Sequence, residues 1–347
     1  MKKCYTYDDV NIIPKYSDIK SRSTIELRTR FTKNINIDIP IISAPMDTIT
    51  GFDMAFEMLK QGGVGVIHRF MSIEEQCDII GKINFHMDDY TGDDVPYIIC
   101  AAIGVSGDWF ERAQELALKG ADVLLIDVAH GHHQRVGESI EKIKNDIPRV
   151  EVIAGNVATG EAVRYLCEKG ADAIRVGIGN GSLCETRIRT GVGVPQVSAL
   201  IECNSIADDF DVPIIADGGI RNIGDVCKGL ACGADTVMLG SLLSGTKETE
   251  GTIEKIGKWP NEQLFKKYRG SASLDSKVDR GENKNVEGNH KVIPYKGKVD
   301  RILKDIKDGI RSSFSYVGAN NISEYHSKVE LVEVTQAGVT EAQPHLL

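Results

Sequence analysis

Eight short, apolar, β-branched runs recur along the chain, and they restrict its fold more than any other feature. They read IPIISAPM (39–46), GVGVIH (63–68), YIICAAIG (97–104), DVLLIDVA (122–129), VEVIAGNVA (150–158), DAIRVGIG (172–179), VPIIADGG (212–219) and DTVMLGS (235–241). Runs without polar alternation suit parallel strands covered on both faces. Most of the gaps carry helix-period segments, among them FDMAFEMLKQ (52–61), DWFERAQELALK (108–119), GEAVRYLCEK (160–169) and IGDVCKGLAC (223–232). Three connections end alike, in KGADVLLID, KGADAIRVG and CGADTVMLG. Each is a helix stopped by glycine, then Ala-Asp, then a strand, which is a weak βα repeat. Strands that alternate with helices and close on Gly, Asp, His or Ser predict an α/β fold, a (β/α)8 TIM barrel. Its site is expected at the C-terminal ends of the strands. A doubly wound sheet would require a glycine fingerprint after the first strand, and SAPMDTITG (43–51) has none.

A chain of 347 residues suits one such barrel, so residues 1–347 are expected to form a single catalytic domain. A net charge of -9 gives no general electrostatic reason to expect nucleic acid or an acidic membrane surface, although a local phosphate pocket is allowed. The eight cysteines, at 4, 77, 100, 167, 184, 203, 227 and 232, form no CxxC pair and read as reduced thiols. No signal peptide and no membrane-length apolar run is visible, so the expectation is a soluble cytoplasmic protein. Residues 1–37 are polar and mixed, with a basic SRS cluster at 21–23. Residues 245–298 are long, charged and poor in apolar side chains, the composition of a lid or a disordered segment; a long mobile flap is expected at about 268–298. A last helix pattern at 299–314 then precedes a polar tail.

The stretch VGIGNGSLCETRIRTGVGVPQ (176–196) carries the chemistry. Glycines at 177, 179 and 181 strip the loop of side chains, so its carbonyls and N–H groups can turn toward a ligand or cation. Cys184 sits on this loop rather than inside a strand or helix, with Thr186 and Arg187 just behind it. On its own the loop reads equally well as a small-residue turn holding a spare cysteine. His130, His132 and His133 cluster, but no carboxylate or cysteine stands at zinc-ligand spacing with them.

With these pieces in view the chain resembles the IMP dehydrogenase / GMP reductase family over nearly its whole length. The residues that carry the likeness are SAPMDT (43–48), IDVAHGH (126–132), AGN (154–156), GIGNGSLCETR (177–187), TGVGVPQ (190–196), ADGGIRNIGD (216–225), MLGS (238–241), YRGSAS (268–273), NVEG (285–288) and SYVGA (315–319). The resemblance implies a purine nucleoside monophosphate, GMP or IMP, attacked at C2 by a loop cysteine, with hydride moved to or from a nicotinamide cofactor. Cys184 is then the nucleophile, and Thr186 with Glu287 the proton-handling pair. Read alone, Thr186 suits an N-cap and Glu287 a solvated charge.

The resemblance places phosphate at the last two strand ends, on Gly218, Gly219, Gly240 and Ser241, with Asp217 on the ribose hydroxyls. Ordinary turn chemistry is the alternative for these glycines and the serine. Met46, Ser182, Gly270, Ser271 and Gly288 complete the implied nucleotide site. The implied cofactor site takes Asp127, Val128, Ala129, Asn156, Ile178 and Gly179, with Arg69, Ser21, Arg22, Ser312 and Ser315 reaching the cofactor too. Carbonyls of Gly179, Gly181, Cys184 and Arg187 would hold a potassium-like monovalent cation, and relatives form homotetramers.

Within the family, GENKNVEG, SSFSYVGA, IDVAHGH and IHRF resemble the reductase branch. The 69–96 connection leaves no room for an inserted regulatory domain, and Asp279-Arg280-Gly281-Glu282 lacks the tyrosine of a dehydrogenase flap. The expectation is NADPH-dependent reductive deamination of GMP to IMP and ammonia. SAPMDT, YRGS and the QAGVTEAQPH tail look dehydrogenase-like, so IMP dehydrogenase is one alternative. Asn180 and Glu185 depart from both branches, and an acidic neighbour disfavours a thiolate. A weakly active nucleotide-binding relative is therefore the other.

Overall fold

The computed structural model describes residues 1–91, 97–257, 261–273 and 287–342. Each of the eight apolar runs contains one strand: β1 (Ile41–Ser43), β2 (Val64–Ile67), β3 (Cys100–Ile103), β4 (Val123–Asp127), β5 (Glu151–Val157), β6 (Ala173–Val176), β7 (Ile214–Asp217) and β8 (Thr236–Leu239). They pair in parallel in sequence order, and β8 pairs with β1 to close the barrel. Alternate residues explain the unbroken apolar runs. Ile42, Val66, Ala102, Leu125, Ile153, Ala173, Ile215 and Met238 pack together in the interior. Their neighbours Ile41, Ile67, Ala101, Leu124, Val152, Ile174, Ile214 and Val237 belong to the outer core, under the helices.

The connections carry helices α1 (Phe52–Lys60), α2 (Ile73–Thr91), α3 (Trp109–Lys119), α4 (Gln134–Asp146), α5 (Gly160–Glu168), the short α6 (Thr186–Thr190), α7 (Gln196–Ala207) and α8 (Ile223–Ala231). Helix α9 (Val299–Val317) returns after the barrel to pack on α8 and α1. Among the described residues no helix is long and apolar enough to cross a membrane.

The Gly-Ala-Asp repeat has a common structural task. Its aspartates, Asp122, Asp172 and Asp235, each turn back to the strand before and accept a backbone N–H, from Ile99 (2.8 Å), Val152 (2.7 Å) and Ile214 (3.0 Å). Three αβ connections are thus pinned at the N-terminal end of the barrel, away from the site, where structural roles concentrate.

Two segments carry more regular structure than their composition announces. The 245–298 segment contains an antiparallel sheet, with β9 (Glu254–Ile256), β10 (Gln263–Arg269) and β11 (His290–Pro294) in that order. The sheet sits at the surface, so its strands are half polar and read as loop; its central residue that reads most polar, Lys266, is 2% exposed. The Lys266 ammonium donates to the carbonyls of Thr246 (3.2 Å), Lys247 (3.4 Å) and Thr249. Burial pulls its pKa below the usual lysine range, against the opposing pull of Glu250, Glu248 and Asp53. Lys266→Met is expected to strand these carbonyls and destabilise the fold by about 1–3 kcal/mol. Urea unfolding measures this, and an unchanged midpoint removes the lysine from the stabilising contacts.

The tail is also structured. Helix α10 (Ile322–Lys328) leads to a strand, Leu331–Glu333, that pairs antiparallel with Val10–Ile12, and α11 (Gln336–Glu341) follows. A ladder between three-residue strands from the two ends of the chain has no local signature.

Candidate active site

The loop after β6 runs close over the end of β7. A Cβ on Gly177 (φ +150°) would lie 1.9 Å from the Asp217 carbonyl oxygen, so only glycine fits there. Two polar side chains fasten the loop. The Asn180 amide donates to the Asp217 carbonyl at 3.2 Å and to Gln196 Oε1. The Gln196 amide in turn donates to the carbonyls of Val176 (2.8 Å) and Asp217 (3.2 Å). Asn180 therefore holds the turn by side-chain hydrogen bonds.

Half-buried Cys184 follows, immediately before α6. Its thiol donates to Thr186 Oγ1 at 3.2 Å, and the Thr186 hydroxyl donates to Glu287 Oε2 at 2.7 Å. These groups lie up to 103 residues apart in sequence and meet through backbone pairing. The Glu185 N–H donates to the Glu287 carbonyl (2.8 Å), and the Asn289 N–H to the Leu183 carbonyl (3.0 Å). On the other side of the same strand-like segment, the Glu287 N–H reaches the Ala272 carbonyl (3.0 Å) and the Gly270 N–H reaches the Asn289 carbonyl (2.9 Å). The Glu185 carboxylate is paired with Arg189 at 2.6 Å. The acidic charge next to the thiol thus has a cationic partner on α6.

A cavity of about 710 Å³ opens at the C-terminal ends of the strands. One half is lined by Asp217, Gly218 and Gly219 after β7, and by Gly240 and Ser241 after β8. Met46 and Ser182 join them, and Gly270, Ser271 and Gly288 close the far side. A Cβ on Gly240 would come within 3.3 Å of both Met46 Sδ and the Tyr268 hydroxyl, which itself meets Ser182 Oγ at 3.1 Å. The cavity is open at this point because residue 240 has no side chain.

The other half is lined by Arg69, Asp127, Val128, Ala129 and Asn156, with Ile178 and Gly179 between the halves. Four residues implied for the cofactor lie elsewhere. The Arg22 guanidinium donates to Ser312 Oγ (2.9 Å) and Ser315 Oγ (3.2 Å), and Ser21 caps the adjoining turn. This cluster is not part of the cavity lining. The segment 279–282 lies outside the described residues.

The cation-binding carbonyls implied for the loop are partly engaged. The Gly181 carbonyl accepts the Cys184 N–H (3.1 Å) and the Arg187 carbonyl the Gly191 N–H (3.0 Å). The Arg187 guanidinium donates to the carbonyls of Ile178 (3.3 Å) and Val194, bracing the loop with a fixed positive charge. Among the described residues no group of three or more His, Cys, Asp or Glu could hold a metal ion. His133 instead caps α4 by accepting the Arg135 N–H.

Sequence reasoning missed Arg175. It stands in AIRV, a run that otherwise reads as buried strand, and a charge in such a run is the signal that could have found it. Its guanidinium meets Asp127 Oδ1 at 2.7 Å and Asp217 Oδ2 at 3.0 Å. Burial pulls its pKa down, but the Asp217 and Asp127 carboxylates outweigh this and hold the group firmly charged. Asn156 adds a bond to Asp217 Oδ2 at 2.7 Å.

A TIM barrel with a loop thiol hydrogen-bonded through a hydroxyl to a carboxylate, at a cavity on the C-terminal ends of its strands, has the layout of an enzyme active site. Residues 4–345 match the IMP dehydrogenase / GMP reductase domain, and the chain belongs to that family of oxidoreductases. It is similar to the inosine-5'-monophosphate dehydrogenase of Nitrosopumilus maritimus, with 34% identity over 99% of this chain and 98% of the relative. The corresponding enzyme of Cryptosporidium parvum is 38% identical over 99% of this chain and 95% of the relative. Among solved structures, a cysteine-to-alanine variant of GMP reductase from Trypanosoma brucei, in complex with guanosine 5'-monophosphate, superposes with a TM-score of 0.91. It is 28% identical and covers 100% of this chain and 98% of that one.

Proposed function

We propose that the protein is a GMP reductase, converting GMP to IMP and ammonia at the expense of NADPH. The observation that carries this reading is the unbroken Cys184–Thr186–Glu287 chain, which suits delivery of a proton to a leaving amine. Cys184 as thiolate adds to C2 of the purine, and the C2–N bond to the amino group breaks. Thr186 relays a proton from Glu287 to that nitrogen, so that ammonia rather than an amide anion departs. Bound in the half of the cavity lined by Asp127 and Arg69, a reduced nicotinamide cofactor would supply the hydride to C2. The Cys184–C2 bond then breaks, releasing IMP and the thiolate. Asp217 and the glycine turns after β7 and β8 orient ribose and phosphate, and Asp127 holds the cofactor ribose near C2.

Activity as an IMP dehydrogenase is the second reading. It is favoured by the two dehydrogenases at 34% and 38% identity, against 28% for the reductase structure. Following absorbance at the nicotinamide band separates the two. GMP-dependent loss of NADPH with release of ammonia is expected, and NADH formation from IMP and NAD that outpaces it reverses the assignment.

A further inference from the structure

Three register partners form a row across the top of the barrel interior: Asp127 on β4, Gly155 on β5 and Arg175 on β6. They follow the inward-facing Leu125, Ile153 and Ala173 by two residues each, so all three positions point inward. Asp217 on β7 follows inward-facing Ile215 in the same way. Gly155 makes the arrangement possible. A Cβ there would fall 2.6 Å from Arg175 Cβ, and with that space empty the guanidinium crosses β5 to reach Asp127.

The guanidinium ends of this bridge are unequal. Nη1 bonds Asp127 Oδ1 at 2.7 Å, while Nε and Nη2 both approach Asp217 Oδ2 at 3.0 Å. Asn156 Nδ2 lands on that same Oδ2, so among the described residues no protein donor claims Asp217 Oδ1, which is left to a ligand. On the other carboxylate, Arg175 takes Oδ1, and Arg69 Nε stands 3.6 Å from Oδ2 as a buried donor with no hydrogen-bond partner among the described residues. A ligand hydroxyl at Asp127 would complete that side.

We propose that Arg175 is a positioning residue that couples the two halves of the cavity. Resting on the reading that Asp217 takes the nucleotide ribose and Asp127 the cofactor ribose, it makes filling of one half favour filling of the other. One rigid, planar cation holds both carboxylates in place, each with one oxygen presented to a diol. The first ligand to bind fixes the shared guanidinium, and the second meets a carboxylate already oriented. A lysine at this position keeps the charge, but its compact ammonium lacks the planar fork with which the guanidinium spans both carboxylates.

Binding measured by calorimetry in a Cys184→Ala background, where no turnover occurs, tests this. The dissociation constant of NADPH is determined with and without saturating GMP, and that of GMP with and without NADPH; IMP with NAD forms a second pair. The expected result is reciprocal tightening of about fivefold or more for at least one pair. With Arg175→Lys added, the factor should fall to near one, whatever the affinity of each ligand alone becomes. Coupling that survives Arg175→Lys unchanged overturns the proposal. So does a factor near one with Arg175 intact, a result available even if the variant fails to fold. Equal weakening of both ligands with coupling retained reduces Arg175 to a structural residue and also overturns it. Coupling seen only with IMP and NAD keeps the role of Arg175 and rejects the reductase reading, so the two failures are distinguishable.

Discussion

Cys184→Ala is expected to lower turnover by more than about 10⁴-fold, since no other group in the cavity can form the bond to C2. Nucleotide affinity should change by less than about threefold, under ~0.7 kcal/mol, because the ribose and phosphate contacts belong to the loops after β7 and β8. None of the other seven cysteines lines the cavity, and burial also pushes the thiols of Cys167, Cys203 and Cys232 up to about 12 and that of Cys227 up to about 11. Steady-state rates alongside calorimetric GMP binding check both halves of the expectation. Near-normal rates in the variant would rule out covalent catalysis at this residue.

Glu287→Gln should damage deamination far more than hydride transfer. The amide keeps an oxygen to accept the Thr186 hydroxyl, so the 2.7 Å contact can persist, but it has no acidic proton to give. Loss of a general acid typically costs 10²–10⁴-fold, about 3–5 kcal/mol of barrier. The comparison is with the reverse half-reaction, in which IMP and oxidised cofactor yield the covalent Cys184 species and reduced cofactor without ammonia. That step needs no proton at the amine and should be slowed much less. Equal slowing of both would make Glu287 a support for the loop rather than the acid.

The barrel was legible because its strands are buried on both faces, which leaves no polar residue to interrupt the apolar runs except at the site itself. The Gly-Ala-Asp repeat was visible, but its purpose was not. A carboxylate accepting an N–H from the preceding strand, as Asp172 does from Val152, needs the sheet register to be seen. The β9–β11 sheet escaped for the opposite reason. QLFKKYR has one wet face, and its buried Lys266 is accommodated by backbone carbonyls that no pattern announces. At the site, Cys184 stood out by its glycine loop, whereas its link to Glu287 came only from family resemblance, because 101 residues separate Thr186 from that glutamate. Arg175 was hidden inside a strand whose neighbours are apolar, although it touches both carboxylates that the resemblance assigns to ribose binding.

The backbone bonds joining 183–185 to 287–289 tie the Cys184 loop to the segment that carries Glu287, so the groups proposed as nucleophile and acid move together. Breathing that lifts the 287–289 edge from the cavity severs the Glu287–Thr186 contact together with the Leu183–Asn289 and Glu185–Glu287 bonds. On the proposed reading, an open cavity would be a disarmed one, its thiol without a relay and its loop without an edge, so that chemical selectivity would be a matter of timing as well as of fit.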